Sequence, residues 1–207
     1  MMTHITFGKP IYTNILDVDT DKVVSIIKKE NEIKKSGSFD DVSDRLASTS
    51  SNKHVLEDKK LKFLKDLLLD EFYKFSYDVM KYSNKFRITT SWLTECNTGE
   101  SSNYHNHNNC MYSGVFYLQA KENSGDIEFT RYSNDARWIL ETTEINDFNT
   151  TSWSWHPTPN LLLIFPSEVY HKIRKNNSDS TRYSIAFNLV PTGLIGSAAS
   201  DSHYISK

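Results

Sequence analysis

The apolar and polar positions change rhythm partway along the chain. From Thr20 to Lys34, Val23, Val24, Ile26 and Ile27 stand against Lys28, Lys29 and Glu30 behind a residue suited to capping, which predicts an amphipathic helix. From Lys35 to His54 the residues turn to Ser, Asp, Gly and Thr, with a Ser48-Thr49-Ser50-Ser51-Asn52 cluster, so a loop is expected there. Leu61, Leu64, Leu68, Phe72, Phe75 and Val79 then recur at steps of three or four, opposite Lys62, Lys65, Asp66, Glu71 and Lys74. This spacing predicts a second, longer helix from Leu56 to Tyr82. Beyond it the period shortens. Phe86 to Cys96, Met111 to Leu118, Ile127 to Thr130, Leu161 to Phe165 and Tyr183 to Val190 read as strands separated by Gly, Asn, Ser and Pro.

Two helices followed by at least five strands, with no alternation between the two types, predict an α+β, mainly β chain. Its helices would lie on one side of an antiparallel sandwich or barrel. The excursion from Arg131 to Asn160 is long for a compact domain, and such connections are usually functional. It reads either as a lid over a substrate, with strands at Arg137-Trp138-Ile139-Leu140 and Thr151-Ser152-Trp153-Ser154-Trp155, or as a segment whose Trp138, Trp153 and Trp155 pack into the core.

Composition narrows the picture. A chain of 207 residues supports one domain, and 13% aromatic residues suit packed strands. A net charge of -2 offers neither nucleic acid nor an anionic membrane an evident partner. Cys96 and Cys110 cannot staple a domain of this size, which points to a reducing compartment. The stretch from Met1 to Ile15 has no uninterrupted apolar run, so neither a secretory signal nor a membrane span is expected and the cytoplasm is the expected location.

The chemistry concentrates in His105 and His107, one residue apart in Tyr104-His105-Asn106-His107, with His171 and Arg182 further on. On a strand, residues two apart point to one side, so both imidazoles of the pair would face one barrel mouth, and His171 from a distant strand would close a metal site. A divalent metal such as iron(II) needs ligands on one face and open positions on the other. Other ligand sets stay open: His107 with Asn109, or a carboxylate such as Asp126.

Several landmarks occur in order: Ser91-Trp92, Gly99, His105 to Asn109, Ser113 to Leu118, Ser124 to Phe129, Phe165 to His171, and Arg182 to Asn188. On these, the stretch from Trp92 to Val190, about half the chain, resembles the 2-oxoglutarate and iron(II)-dependent oxygenases, and in particular a phage and bacterial subset of prolyl-hydroxylase-like hydroxylases. The resemblance implies a double-stranded β-helix (jelly-roll, cupin-like) core over 85–195, a helical support region over 1–84, a tail over 196–207, and the host cytoplasm for a phage-encoded member. It further implies iron(II) held by His105, His107 and His171, and O2 and 2-oxoglutarate as co-substrates. Arg182 is expected to grip the far carboxylate of 2-oxoglutarate by two parallel hydrogen bonds, with Ser184, Tyr117 and Asn188 in support. The reaction implied is hydroxylation of a small molecule or a protein side chain with release of succinate and CO2. Relatives that pair through their amino-terminal helices imply a homodimer.

Where the broad family carries Asp or Glu two residues after the first histidine, this chain has His107. Two other readings therefore stand beside the hydroxylase: a cupin-like three-histidine metalloenzyme that uses no oxo acid, and a non-catalytic jelly-roll binding module.

Overall fold

In the computed structural model, residues 8–35, 46–131, 140–197, 199 and 201–206 are described. They form strands β1 (Tyr12–Ile15), β2 (Ile33–Lys35), β3 (Ser48–Ser50), β4 (Lys85–Cys96), β5 (Tyr112–Gln119), β6 (Ile127–Thr130), β7 (Ser152–Trp155), β8 (Leu161–Pro166), β9 (Tyr170–Ile173), β10 (Arg182–Ile195) and β11 (Tyr204–Ser206). The helices are α1 (Thr20–Glu30) and α2 (Lys62–Tyr73). The major sheet runs β1-β8-β5-β10-β4-β3-β2, with β11 beside β10, and the minor sheet runs β7-β6-β9. Every paired strand in both is antiparallel.

The side-chain period of two divides the major sheet into two faces. Phe116, Leu118, Leu162, Ile164, Ile185, Phe187 and Leu189 face outward and are covered by Val23, Val24 and Ile27 of α1 and Leu64, Leu68 and Phe72 of α2. Val115, Tyr117, Leu161, Leu163 and Phe165 face inward, against Ile127 and Phe129 of the minor sheet. Gly114 lies opposite Phe187, and a Cβ there would come within 2.2 Å of the phenyl ring, so only glycine lets the ring lie flat across the strand.

A bulge in the β4–β10 ladder leaves Thr89 without a register partner. It moves the outward face from Phe86 and Ile88 to Ser91 and Leu93. Thr90, Trp92 and Thr94 consequently turn toward the inter-sheet space.

The helices differ from the sequence expectation at their ends. Asp19 caps α1, accepting from the backbone N–H of Lys22 at 3.1 Å. The helix stops at Glu30 rather than Lys34, because Ile33–Lys35 pairs with β3 instead. The expected helix from Leu56 begins as two 3-10 turns and becomes α-helical at Lys62. A π turn then runs from Lys74 to Val79. Its wider winding shifts the face, so Phe75 stays buried while Val79, expected in the core stripe, is 58% exposed.

The Lys35 to His54 region is a loop only in part. Ser48–Ser50 forms β3, while 36–45 lies outside the described residues. In the 131–160 segment the expected strand at 137–140 falls on residues that are not described, apart from Leu140, whereas the one near Thr151 is β7. Trp153 is 44% exposed and so is not the core residue of the packing reading, while Trp155 packs beside Phe129. Cys96 and Cys110 are not joined in a disulfide. Among the described residues no helix is long and apolar enough to cross a membrane.

Candidate active site

Between the sheets opens a cavity of about 510 Å3, of the size that accepts small organic ligands. Three imidazoles meet at it. His105 and His107 do not lie on a strand, as the His-x-His spacing suggested, but on the irregular connection between β4 and β5. Backbone bonds fix that connection. The N–H of His105 donates to the carbonyl of His171 and the N–H of His171 to that of His105, both at 2.9 Å, which forms an isolated antiparallel bridge. Residues that exchange both bonds present their side chains on one side, so the rings of two histidines far apart in sequence come within 4.4 Å between centroids. The N–H of His107 donates to the carbonyl of Ser167 at 2.9 Å, and its ring lies 5.2 Å from each of the others.

The candidate ligand atoms of His105, His107 and His171 all lie within 4.8 Å of one another. The ring Nδ1 of His105 faces the carbonyl of Asn103 at 2.8 Å, and that of His171 faces the carbonyl of Val169 at 3.0 Å. A carbonyl only accepts, so Nδ1 carries the proton in both and Nε2 keeps its lone pair for a metal. His171 is set among Phe129 and Phe165. Burial, with smaller effects from the neighbouring imidazoles, pushes it down to about 3, and the same causes push His107 down to about 4. At neutral pH both are uncharged and available as ligands.

A pH dependence follows. A buried histidine that stays neutral when folded takes up its proton on unfolding, so its stabilising effect is complete above the unfolded value near 6.5 and declines as the pH falls toward about 3. The metal-free protein should lose roughly 1.4 kcal/mol per pH unit below 6.5 through His171 alone. Thermal unfolding in the presence of a chelator, from pH 7 to pH 4.5, checks this.

Behind the cavity wall formed by Tyr117 and Ser184 lies a second feature. Arg182 opens β10 and is fully buried, with Nη1 donating to the carbonyls of Ser124 at 3.0 Å and Gly125 at 2.7 Å. Gly125 has φ +90, and a Cβ there would meet the Arg174 carbonyl oxygen at 2.2 Å, so the turn that receives the guanidinium needs glycine. The Nε and Nη2 of Arg182 and the hydroxyl of Tyr117 are buried without a hydrogen-bond partner among the described residues. The guanidinium carbon lies 5.9 Å from the Tyr117 ring. Burial pushes Tyr117 up to about 12 despite that cation, so it is a neutral O–H donor. Tyr117 and Ser184 line the cavity, and Arg182 continues the same face of β10 one register deeper.

Asn188 is placed on the cavity wall but does not end a strand, since β10 continues to Ile195. Its Nδ2 donates to Thr90 Oγ1 at 3.0 Å and its Oδ1 accepts from Ser113 at 2.8 Å; Ser113, thus committed as donor, accepts from Ser167 at 2.8 Å. Of the alternative ligands, Asp126 is not part of the three-histidine cluster. Asn109 is exposed in a bend with φ 59, and Asp126 pairs with His156 at 2.9 Å.

Sequence reasoning missed a clamp behind the histidines. Glu128 of β6 is nearly buried and receives the hydroxyl of Tyr104, the Nε of Arg174 at 2.6 Å and the ammonium of Lys172 at 3.5 Å. Lys172 also sits over the Tyr104 ring at 4.3 Å. Burial alone would raise the Glu128 carboxyl, but these partners outweigh it and hold it below the usual carboxylate range. Tyr104 adjoins His105 and Lys172 adjoins His171, so this one carboxylate holds both ligand-bearing segments. The only sequence signal was an acidic residue within a short apolar strand. Glu128→Gln should weaken metal binding roughly tenfold, as loss of an outer partner does. Titration of the apoprotein with Co(II) measures it.

Residues 90–188 match a family model described as "Putative 2OG-Fe(II) oxygenase". The segment that carries the three histidines and Arg182 is therefore similar to the 2OG-Fe(II) oxygenases, a class that works with iron(II), 2-oxoglutarate and O2. Among solved structures, the chain is similar to the α-ketoglutarate-dependent epimerase SnoN from nogalamycin biosynthesis (8% identity, 93% of this chain and 83% of that one, TM-score 0.66). It is also similar to a Pseudomonas putida prolyl-4-hydroxylase (13% identity, 87% and 91%, TM-score 0.58). A third is HygX from Streptomyces hygroscopicus with nickel, 2-oxoglutarate and hygromycin B bound (13% identity, 89% and 83%, TM-score 0.59). No curated protein matches the sequence significantly.

Proposed function

We propose that this chain is a 2-oxoglutarate-dependent iron(II) dioxygenase that hydroxylates a small organic substrate and releases succinate and CO2. The observation that carries the reading is the placement of three clustered imidazoles in a cavity lined by Tyr117 and Ser184, next to a buried Arg182 whose Nε and Nη2, like the Tyr117 hydroxyl, have no hydrogen-bond partner among the described residues. Unpaired buried donors are costly, and a carboxylate is the acceptor that satisfies a cation and an O–H together. A three-histidine metalloenzyme that used no oxo acid would leave these donors unexplained.

On this reading the strands of 85–195 are a double-stranded β-helix core supported by 1–84, with 196–207 as a tail. His105, His107 and His171 hold iron through Nε2, and three neutral ligands leave the ion's charge to be balanced by a dianionic co-substrate. Bound iron supplies the oxygen-activating chemistry of the class. Arg182 and Tyr117 fix the far carboxylate of 2-oxoglutarate, and Ser184 borders its path. The Asn188–Ser113–Ser167 chain braces the wall and, through the Ser167 carbonyl, the backbone of His107. Val115, Ile127 and Phe165 keep the interior apolar, which strengthens each charged contact made there. The test is to supply purified protein with iron(II), O2 and 2-oxoglutarate and to assay succinate. Stoichiometric formation supports the reading, and no succinate from iron-loaded protein overturns it.

A further inference from the structure

Lys53 is placed unlike most lysines whose contacts can be named. Lys9, Lys28, Lys62, Lys65, Lys74, Lys121 and Lys172 each pair with a carboxylate. The ammonium of Lys53 donates instead to two neutral acceptors, Thr49 Oγ1 and the Ser50 carbonyl, both at 2.8 Å. These bonds hold it in place without neutralising it, and one of its three N–H groups is left over. Its main chain is tied to β4, since the N–H of Ser91 donates to the Lys53 carbonyl at 2.7 Å.

Lys53 also lines the cavity that holds the three imidazoles, and among the described residues that line it there is no Asp or Glu. The side chain is exposed at the cavity rim, partial desolvation lowers its proton affinity, and among the described residues no carboxylate pairs with it. Thr90, Trp92 and Thr94 form the wall on the same strand, and the Trp92 ring lies 5.8 Å from that of His107. Lys53 and Trp92 thus line the same cavity as the candidate metal ligands, with the Trp92 ring beside His107.

Resting on the dioxygenase reading, we infer that Lys53 and Trp92 form a substrate subsite for a small organic acid, with its carboxylate or phosphate on the Lys53 ammonium and its apolar body on Trp92. A cation held by neutral groups in a cavity whose described lining carries no acidic residue attracts anions and disfavours cationic substrates. The subsite thereby sets which end of the substrate is turned away from the imidazoles.

The experiment uses the full chain loaded with Ni(II) and saturating 2-oxoglutarate, so that binding is read without turnover. Calorimetry compares benzoate with benzamide and phenyl phosphate with phenol, two pairs that differ in charge, one for each anion source. At least one anion is expected to bind about tenfold more tightly than its neutral twin, the worth of one charge-assisted hydrogen bond. Lys53→Met should erase that preference, Lys53→Arg should keep it, and Lys53→Glu should reverse it. Equal binding of the twins, no binding of any probe, or a preference that survives Lys53→Met overturns the inference. So does a loss of 2-oxoglutarate affinity in Lys53→Met, which would assign the ammonium to the co-substrate. Failure of the dioxygenase reading is seen separately, as a wild-type protein that binds no 2-oxoglutarate.

Discussion

Arg182→Met is expected to weaken 2-oxoglutarate binding by roughly 10^2- to 10^4-fold, because it removes two charge-assisted hydrogen bonds of about 1.5–3 kcal/mol each. Methionine keeps most of the side chain's length, so the buried volume stays largely filled. The carbonyls of Ser124 and Gly125 lose their donor, and the thermal midpoint should fall as well. Titration of the Ni(II)-loaded variant with 2-oxoglutarate, beside its metal stoichiometry, separates the two effects: affinity for the oxo acid drops while the metal is still bound. Unchanged affinity for 2-oxoglutarate would remove Arg182 from the co-substrate site.

His171→Ala is expected to have the larger effect on the metal. It deletes the most buried of the three imidazoles, the one whose backbone also pairs with His105. Loss of a direct ligand should exceed the roughly 10–100-fold that loss of an outer partner costs. Metal analysis after dialysis should find the variant largely empty, and succinate formation should fall below detection. The same variant should lose part of the acid sensitivity of the metal-free protein, since the proton that His171 takes up on unfolding is gone. A variant that keeps one equivalent of tightly bound metal would exclude His171 as a ligand.

Much of this molecule was legible along the chain. The strands from β4 onward that carry apolar runs, β4, β5, β6, β8 and β10, lie close to where alternation and β-branched residues put them, because burial on a sheet face imposes the period of two. The short strands β1, β2, β3, β9 and β11 were missed. Their residues are largely polar or charged, and their extended form is supplied by a partner strand's hydrogen bonds rather than by their own pattern. The π turn after α2 was equally invisible, and it alone exposes Val79.

The site divides in the same way. His105, His107, His171 and Arg182 stood out in the sequence because their residue types and order are scarce, and the structure brings the three imidazoles together. The means by which they meet did not show, since the two-bond bridge between His105 and His171 links the irregular connection between β4 and β5 to strand β9. Lys53 and Glu128 are common residue types in unremarkable local settings and Trp92 stood out only as a landmark of the resemblance; the bulge at Thr89 and the crossing of the chain between the sheets turn them toward the cavity or the ligand segments.

By itself, then, the sequence determined which segments bury a face and which side chains carry the chemistry, because both follow from residue type and local period. Tertiary structure alone decided which lone pairs, unpartnered donors and uncompensated charges share one space. Those are set by long-range backbone hydrogen bonds and strand register, on which the order of residues along the chain places no local constraint.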